Sequence, residues 1–183
     1  MRIKATVRGR ELEFETKAGL FSYEHIDPAS LLLIENVEVR DGDRIIDVGC
    51  GYGAIGLALA GLTPKGKVCM VDTDIRAVEY SLINAKLNRI KNVEIVAGDG
   101  FAKVPKESRF EVVVSNPPSH TPKETILEFI AGAKNRLTEG GKVYFVTERR
   151  IVPMIKREFE RVFGNHKIVG TKMQYSVSLA YNQ

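Results

Sequence analysis

The sequence contains no tryptophan and only two cysteines among its 183 residues. Both, Cys50 and Cys69, lie in apolar segments, which is typical of a reduced intracellular protein and argues against a disulfide framework. A long hydrophobic run is also missing, because the longest, residues 54–62, is well short of the roughly 20 residues that cross a bilayer. The charged N-terminus does not resemble a signal peptide, so we expect a cytoplasmic protein without a membrane partner.

Neither charge sign dominates. The 27 Lys and Arg residues against 23 Asp and Glu give a formal net charge of +4, a mild bias towards anionic partners such as nucleic acid. The three histidines are scattered and no cysteine or carboxylate cluster joins them, so we expect no metal site. The length and the 44% hydrophobic content predict one globular domain over residues 1–183, with residues 1–17 forming a β-hairpin extension.

From residue 40 onward, short β-branched runs alternate with segments of helical period. This pattern predicts an α/β protein, Rossmann-like, with a mostly parallel seven-stranded sheet covered by helices on both faces. The predicted strands are Arg44–Val48, Lys67–Val71, Val93–Val96, Phe110–Val114, Lys142–Thr147, His166–Val169 and Tyr175–Ala180, the last two forming an antiparallel pair.

Two of the predicted helices carry recognisable end signals. Asp74 is expected to cap a helix whose predicted buried stripe follows the helical period. The stripe consists of Ile75, Val78, Leu82 and Ala85. Further along, Thr121 and Pro122 are typical of an N-cap and a first helical residue, and Gly140-Gly141 is typical of a helix stop.

The strongest local signal is the glycine-rich turn after the first parallel strand, Asp-Val-Gly-Cys-Gly-Tyr-Gly. Such a turn lets the backbone approach a ligand closely at the start of a helix. Its spacing also fits the dinucleotide fingerprint, but the Asp47 carboxylate would repel a pyrophosphate and favours a cationic ligand. S-adenosylmethionine, with its ammonium and sulfonium groups, fits that requirement. The cofactor-binding residues predicted in this turn are Asp47, Gly49, Cys50, Gly51 and Gly53.

Two further acids follow neighbouring strands. Asp72 ends the second strand, where a carboxylate can accept both ribose hydroxyl protons. Asp99 ends the third strand and is predicted to accept from the adenine amino group, with Phe101 near the ring. For Asp99 the alternative is a turn-forming role, which is common for an Asp in a loop.

The fourth strand leads into Asn116-Pro117-Pro118. The two prolines fix two φ angles and remove two donors, so they hold the neighbouring carbonyls in a preset direction. If the Asn116 side-chain oxygen and the Pro117 carbonyl each accept one N–H, a ring-bound amine can aim its lone pair at an electrophilic methyl group. We therefore predict Asn116, Pro117 and Pro118 as catalytic residues, with Asn116 also beside the cofactor, and Ser119 and His120 as substrate contacts. The alternative is an ordinary loop after a strand.

Together these motifs resemble the class I S-adenosylmethionine-dependent methyltransferases that modify exocyclic or amide nitrogens. A second set of residues resembles the ribosomal RNA guanine-N2 methyltransferase C-like family and its small archaeal relatives. This set consists of Gly19–Ser22, Asp27, Ser30 and Ser115–His120. The resemblance implies a strand order of 3-2-1-4-5-7-6 with the last strand antiparallel, and a cofactor site closed by the segment around Phe21.

The chain departs from that family at one position. The family commonly has an aromatic residue after Asn-Pro-Pro that stacks on the target base, whereas this chain has Ser119. The aromatic residues considered as replacements are Tyr52, Phe101, Phe21 and Tyr23.

The expected activity is methyl transfer from S-adenosylmethionine to the exocyclic N2 of guanine, with ribosomal RNA as the partner. Two alternatives stay open: methylation of a glutamine side-chain amide in a protein, and a non-catalytic cofactor-binding module that associates with RNA. The Phe21-Ser22 segment and the basic balance disfavour the first alternative, and the intact Asn-Pro-Pro disfavours the second. The target RNA and the oligomeric state do not follow from the sequence.

Overall fold

The computed structural model describes residues 1–183 and contains five helices and nine strands. The helices are α1 (Pro28–Asn36), α2 (Ala54–Ala60), α3 (Ile75–Leu87), α4 (Lys123–Arg136) and α5 (Val152–Phe163). The strands are β1 (Arg2–Val7), β2 (Arg10–Glu15), β3 (Arg44–Val48), β4 (Lys67–Asp72), β5 (Val93–Ala97), β6 (Phe110–Ser115), β7 (Leu137–Glu148), β8 (Lys167–Lys172) and β9 (Tyr175–Tyr181). None of the helices combines the length and the apolar composition that crossing a membrane requires.

The main sheet has seven strands in the order β5-β4-β3-β6-β7-β9-β8. The first five of these are mutually parallel, and β9 runs antiparallel to both of its neighbours. Counted from β3, this is the order that the family resemblance implies, and the Rossmann-like prediction is confirmed. From β3 the chain builds the sheet outwards through β4 to β5, and it then crosses to the other side of β3 to form β6. The strand order reverses at β3, so a crevice opens outside the carboxyl ends of β3, β4 and β6.

Both faces of the sheet are buried. One apolar cluster includes α1, α2 and the hairpin residue Phe14, and the other includes apolar residues of α4 and α5. Successive residues of β3 alternate between them, since Ile45 belongs to the first cluster and Ile46 to the second. This explains why the central strands are nearly continuous in apolar residues.

The N-terminal hairpin forms as predicted and docks on α3 through polar contacts. Arg8 and Gly9 turn it with φ of +48° and +77°, as a two-residue type I′ turn requires. The Asn84 side chain accepts from Glu15 N (2.6 Å) and donates to the carbonyl oxygens of Glu15 (3.0 Å) and Tyr52 (2.9 Å). Asn84 therefore joins the hairpin to the glycine-rich turn.

This docking explains why the predicted stripe on α3 is only half right. The buried residues of α3 are Ala77, Val78, Ser81, Asn84 and Ala85. Ile75 and Leu82, predicted to be buried, are 65% and 45% exposed. The spacing of apolar residues cannot predict that Asn84 is buried, because its burial depends on backbone groups supplied by the distant hairpin. The predicted cap at Asp74 is confirmed.

The boundary between α4 and β7 differs from the prediction at both ends of the helix. The N-cap is Pro122 rather than Thr121, and no side chain caps it. The helix ends at Arg136 and β7 begins at the next residue, so Gly140-Gly141 lies inside a strand. Gly140 has φ of +72° and donates to Asn182 O (2.7 Å), while the pairing with β6 shifts register between Phe110 and Val112. The glycines thus permit an irregular strand instead of stopping a helix.

Replacing Asn84 by alanine is expected to lower the free energy of unfolding by about 3 kcal/mol, because it leaves the buried carbonyl of Tyr52 and two half-buried backbone groups of Glu15 without partners. The matched control is Asn88→Ala, which removes a similar bridge to Glu13 at a half-buried position that water reaches. Urea unfolding of both variants tests this, and equal losses would contradict the role given to Asn84.

Candidate functional site

The glycine-rich turn takes a backbone path that requires glycine. Gly49, Gly51 and Gly53 have φ of +78°, +56° and +101°, where a side chain would be strained. The N–H groups of Gly49 and Cys50 donate to Val71 O at 2.8 and 3.0 Å, which fixes the turn to the end of β4. The turn is therefore rigid and lies at the crevice.

Asp72 supports the turn from the neighbouring strand. Its Oδ2 accepts from Gly51 N at 2.8 Å and its Oδ1 accepts from Asp74 N at 2.9 Å. Each carboxylate oxygen keeps further lone pairs, and the residue lines the crevice. Asp72 therefore lies at the crevice and also holds the turn, and its contact with a ribose stays a prediction.

Asp47 does not lie where the sequence argument expected it. The residue is fully buried beneath the turn, its Oδ2 accepts from Gly56 N at 2.9 Å, and Oδ1 has no partner in the protein. It is not among the residues that line the crevice, so the predicted direct contact with a methionine end is not formed by this side chain. Burial raises the pKa of Asp47 to about 7, with a smaller contribution from the Asp72 charge.

Three neighbouring cavities open along the crevice and share lining residues. The loop cavity (Gly49, Cys50, Gly51, Ile55) encloses about 370 Å³ and the acid cavity (Asp72, Asp99, Gly100, Phe129) about 770 Å³, both including space open to solvent. The proline cavity (Pro117, Pro118, Thr147, Glu148, Tyr175) encloses about 540 Å³ in the same sense. Phe21 and Asn116 line all three, so these two residues mark the point where the cavities meet.

The Asn116 amide is oriented by two hydrogen bonds. Its Nδ2 donates to Asp27 Oδ2 and to Ser30 Oγ, both at 2.9 Å. Because an ionised carboxylate only accepts, the amide nitrogen must face Asp27, and the carbonyl oxygen is left without a partner inside the protein. The Pro117 carbonyl accepts no hydrogen bond within the protein either. The predicted pair of acceptors is therefore available.

Sequence reasoning missed the role of Asp27 and Ser30, which it recorded only as part of a family pattern. Asp27 Oδ2 also accepts from Ser30 N at 3.0 Å and so caps α1. A capping residue before a helix has an ordinary structural explanation, and the contact with Asn116 joins residues 89 positions apart. No local signal in the sequence indicates it.

The aromatic residues considered as stacking partners occupy different places. Phe21 is 55% exposed and lines all three cavities. Tyr52 is buried against Phe14, with ring centroids 5.7 Å apart, and its hydroxyl donates to Ser22 O, so it holds the Phe21 segment. Tyr52 also lines the loop cavity. Phe101 packs into the space left by Gly132 on α4.

The acid cavity has Phe129 in the place expected for Phe101. Asp99 and Gly100 line this cavity as predicted, and Phe129 of α4 completes it, whereas Phe101 is absent from the lining. The expected position of Phe101 near a ring is therefore wrong. The sequence did not predict Phe129 as a residue of this cavity, because Phe129 lies on α4, which follows the Asn-Pro-Pro loop.

Three remaining predicted residues differ in their positions. Cys50 lines the loop cavity but is buried, and burial, with the Asp47 and Asp72 charges, raises the pKa of its thiol. Ser119 lines the proline cavity. His120 is exposed and is not among the residues that line the three cavities. No group of three or more His, Cys, Asp or Glu side chains is arranged to hold a metal ion.

The chain is similar to known proteins in sequence and in structure. The sequence profile of the methyltransferase small domain matches residues 11–178. The uncharacterized protein YbxB of Bacillus subtilis (strain 168) is 33% identical over 173 residues, covering 93% of this chain and 86% of YbxB. The ribosomal RNA small subunit methyltransferase C of Salmonella choleraesuis (strain SC-B67) is 31% identical over 170 residues, covering 91% of this chain and 48% of that protein.

A solved structure matches this chain over its full length. The T. thermophilus 16S rRNA N2 G1207 methyltransferase (RsmC), solved in complex with AdoMet and guanosine, superposes with a TM-score of 0.88 at 28% identity. The match covers 100% of this chain and 50% of that one. The chain thus spans about half the length of the ribosomal RNA methyltransferases that it matches.

The burial of Asp47 predicts a specific pH dependence of stability. Its pKa of about 7 in the folded protein lies above the roughly 3.9 of an unfolded chain, so the folded state binds more protons between these values. The free energy of unfolding should therefore fall as pH rises from about 4 to 7, by up to about 1.4 kcal/mol per pH unit. Asp47→Asn removes this titration, so its stability relative to the native chain should rise between pH 5 and pH 8.

Urea unfolding at both pH values measures the effect. Glu160→Gln, which neutralises an exposed carboxylate on α5, is the matched control and should follow the native chain. Parallel profiles for Asp47→Asn and the native chain would show that Asp47 does not titrate in this range.

Proposed function

The chain belongs to the methyltransferase small domain family, and from that premise we propose that it methylates the exocyclic N2 of guanine in ribosomal RNA, using S-adenosylmethionine. One observation carries the proposal: the oriented Asn116 amide lines the acid, loop and proline cavities, and Pro117 beside it lines the acid and proline cavities. The names of the similar proteins, and the guanosine bound to the Thermus enzyme, favour guanine as the acceptor.

The cavities fit a cationic cofactor. Neither the loop cavity nor the acid cavity has a lysine or an arginine among its lining residues, so a pyrophosphate would find no countercharge. We assign the methionine end to the turn at Gly49 and Gly51, the ribose to Asp72, and the adenine to Asp99 and Phe129. When bound, S-adenosylmethionine supplies an electrophilic methyl group on its sulfonium.

The residues of the chain then prepare the acceptor nitrogen. An amine on a heteroaromatic ring is a poor nucleophile because its lone pair is delocalised. The Asn116 oxygen and the Pro117 carbonyl each accept a hydrogen bond from one N–H of this amine, which favours a pyramidal nitrogen and stabilises the positive charge that develops on it. Because Asp27 and Ser30 already hold the Asn116 nitrogen, this geometry exists before the substrate arrives.

A base inside a duplex cannot reach this point, so the target guanine must be unpaired or flipped out of its stack. The net charge of +4 favours an RNA partner. Two buried free thiols, Cys50 and Cys69, fit a reducing cytoplasm, where we place the protein.

Incorporation of radiolabelled methyl groups tests the proposal. We expect label in unmodified ribosomal RNA, and mass spectrometry of its nucleosides should identify N2-methylguanosine. Transfer RNA and whole-cell protein are the parallel substrates. Label in glutamine amides would replace the proposal by protein methylation, and cofactor binding without label in any substrate would indicate a non-catalytic module.

Asn116→Ala should separate chemistry from binding. The dissociation constant of the cofactor should stay nearly unchanged, while kcat/KM falls by the equivalent of about 2 kcal/mol or more, because the lost acceptor acts on the substrate nitrogen. Asp72→Ala should show the opposite, weakening cofactor binding first, since Asp72 faces the acid cavity and holds Gly51. Calorimetry and initial rates measure both quantities. Equal losses of binding and turnover in Asn116→Ala would refute its assigned role.

A further inference from the structure

The proline cavity contains side chains that the reaction described above does not use. Beside Pro117 and Pro118, its wall is formed by Thr147 and Glu148 at the end of β7 and by Tyr175 at the start of β9. Glu148 and Tyr175 are directly opposite each other in the antiparallel pairing of these strands. Their side chains therefore share one face of the sheet, within contact distance of the same ligand.

Thr147 has a buried hydroxyl group without a partner. The residue is 5% exposed, lines the proline cavity, and its Oγ1 makes no hydrogen bond in the protein. An unsatisfied buried hydroxyl costs about 1–3 kcal/mol, and the Thr147 hydroxyl keeps its hydrogen-bonding capacity unused beside the proline cavity.

Glu148 presents a fixed carboxylate to the same cavity. Its side chain is 26% exposed, and Oε2 accepts from Arg150 Nε at 2.5 Å. Arg150 also approaches Ser119 O at 3.5 Å, so it connects the end of β7 to the Asn-Pro-Pro loop. A carboxylate has about four lone-pair positions, and the Arg150 contact leaves others free for a donor in the cavity.

Tyr175 contributes an aromatic ring to the lining of the proline cavity. It is half-buried and packs against the apolar cluster on the α1 face, which fixes its position. A ring held in this way is suited to the face of a base. Tyr175 can also replace the aromatic residue that the family has at the position of Ser119, because the aromatic surface then comes from β9 rather than from the residue after Asn-Pro-Pro.

We propose that Glu148, Tyr175 and Thr147 form the site that selects the acceptor base, an inference that rests on the proposed methylation of guanine. The Tyr175 ring packs on the face of the base, the Glu148 carboxylate accepts from guanine N1–H, and the Thr147 hydroxyl bonds to a polar atom of its edge. The N1–H is adjacent to the 2-amino group that Asn116 and Pro117 orient. Adenine, and any purine with an unprotonated N1, places an acceptor against the carboxylate and is rejected.

The experiment compares guanosine with 2-aminopurine riboside, which keeps the 2-amino group but has an acceptor at N1. Their dissociation constants are measured by NMR titration of the full chain in the presence of S-adenosylhomocysteine. The native chain should prefer guanosine by about tenfold or more. Glu148→Gln should reduce this preference by about tenfold, because a carboxamide can donate to the unprotonated N1. A merely structural role of Glu148 would weaken both ligands equally.

Two further variants complete the test. Glu160→Gln, the exposed control, should leave the preference unchanged. Tyr175→Leu should weaken both nucleosides by about tenfold through lost stacking while leaving cofactor affinity unaltered. Absence of nucleoside binding, or an unchanged preference in Glu148→Gln, would overturn the inference.

The outcome is separable from that of the proposed function. If ribosomal RNA acquires N2-methylguanosine while Glu148→Gln keeps the native preference, the activity stands and this base-selecting site is wrong. If label appears only in glutamine amides of protein, both proposals fall.

Discussion

The hydrogen bond from the Asn116 amide to Asp27 is the contact on which the site depends. It joins the end of β6 to the start of α1, and the same carboxylate caps that helix. With its nitrogen held by Asp27 and Ser30, Asn116 has one orientation, with its oxygen free. The prolines add stiffness without adding donors. A chemically inert amide becomes a directed acceptor through contacts that are complete before any ligand binds.

The glycine-rich turn shows how charge is distributed around this point. Asp72 holds Gly51 and remains at the cavity surface, whereas Asp47 is buried beneath the turn and holds Gly56. Asp72 and Asp99 line a crevice without basic lining residues, so the local field favours a cation. Burying Asp47 costs free energy, which appears as its raised pKa. The buried Asp47 carboxylate that supports the turn therefore lowers the free energy of unfolding of the protein.

Most of the fold was predictable because its signals are local. The strands β3 to β6 agree with the prediction to within a residue, since a strand buried on both faces must be a short apolar run. Ile75, Leu82 and the α4–β7 boundary were wrong for one shared reason. In each case a distant segment, the hairpin or Asn182 beside β9, supplies polar partners that change which residues are buried or where an element ends.

The sequence by itself determined the positions of the central strands, the glycine-rich turn, the acids that follow the strands and the Asn-Pro-Pro loop, because each is encoded in adjacent residues with fixed backbone requirements. Only the tertiary structure decided which side chains meet. It moved Asp47 out of the ligand's reach, replaced Phe101 by Phe129, left His120 outside, and brought Asp27 to Asn116 and Tyr175 to Glu148. Contacts between remote residues depend on how helices and strands pack, and packing is a property of the whole chain rather than of any segment.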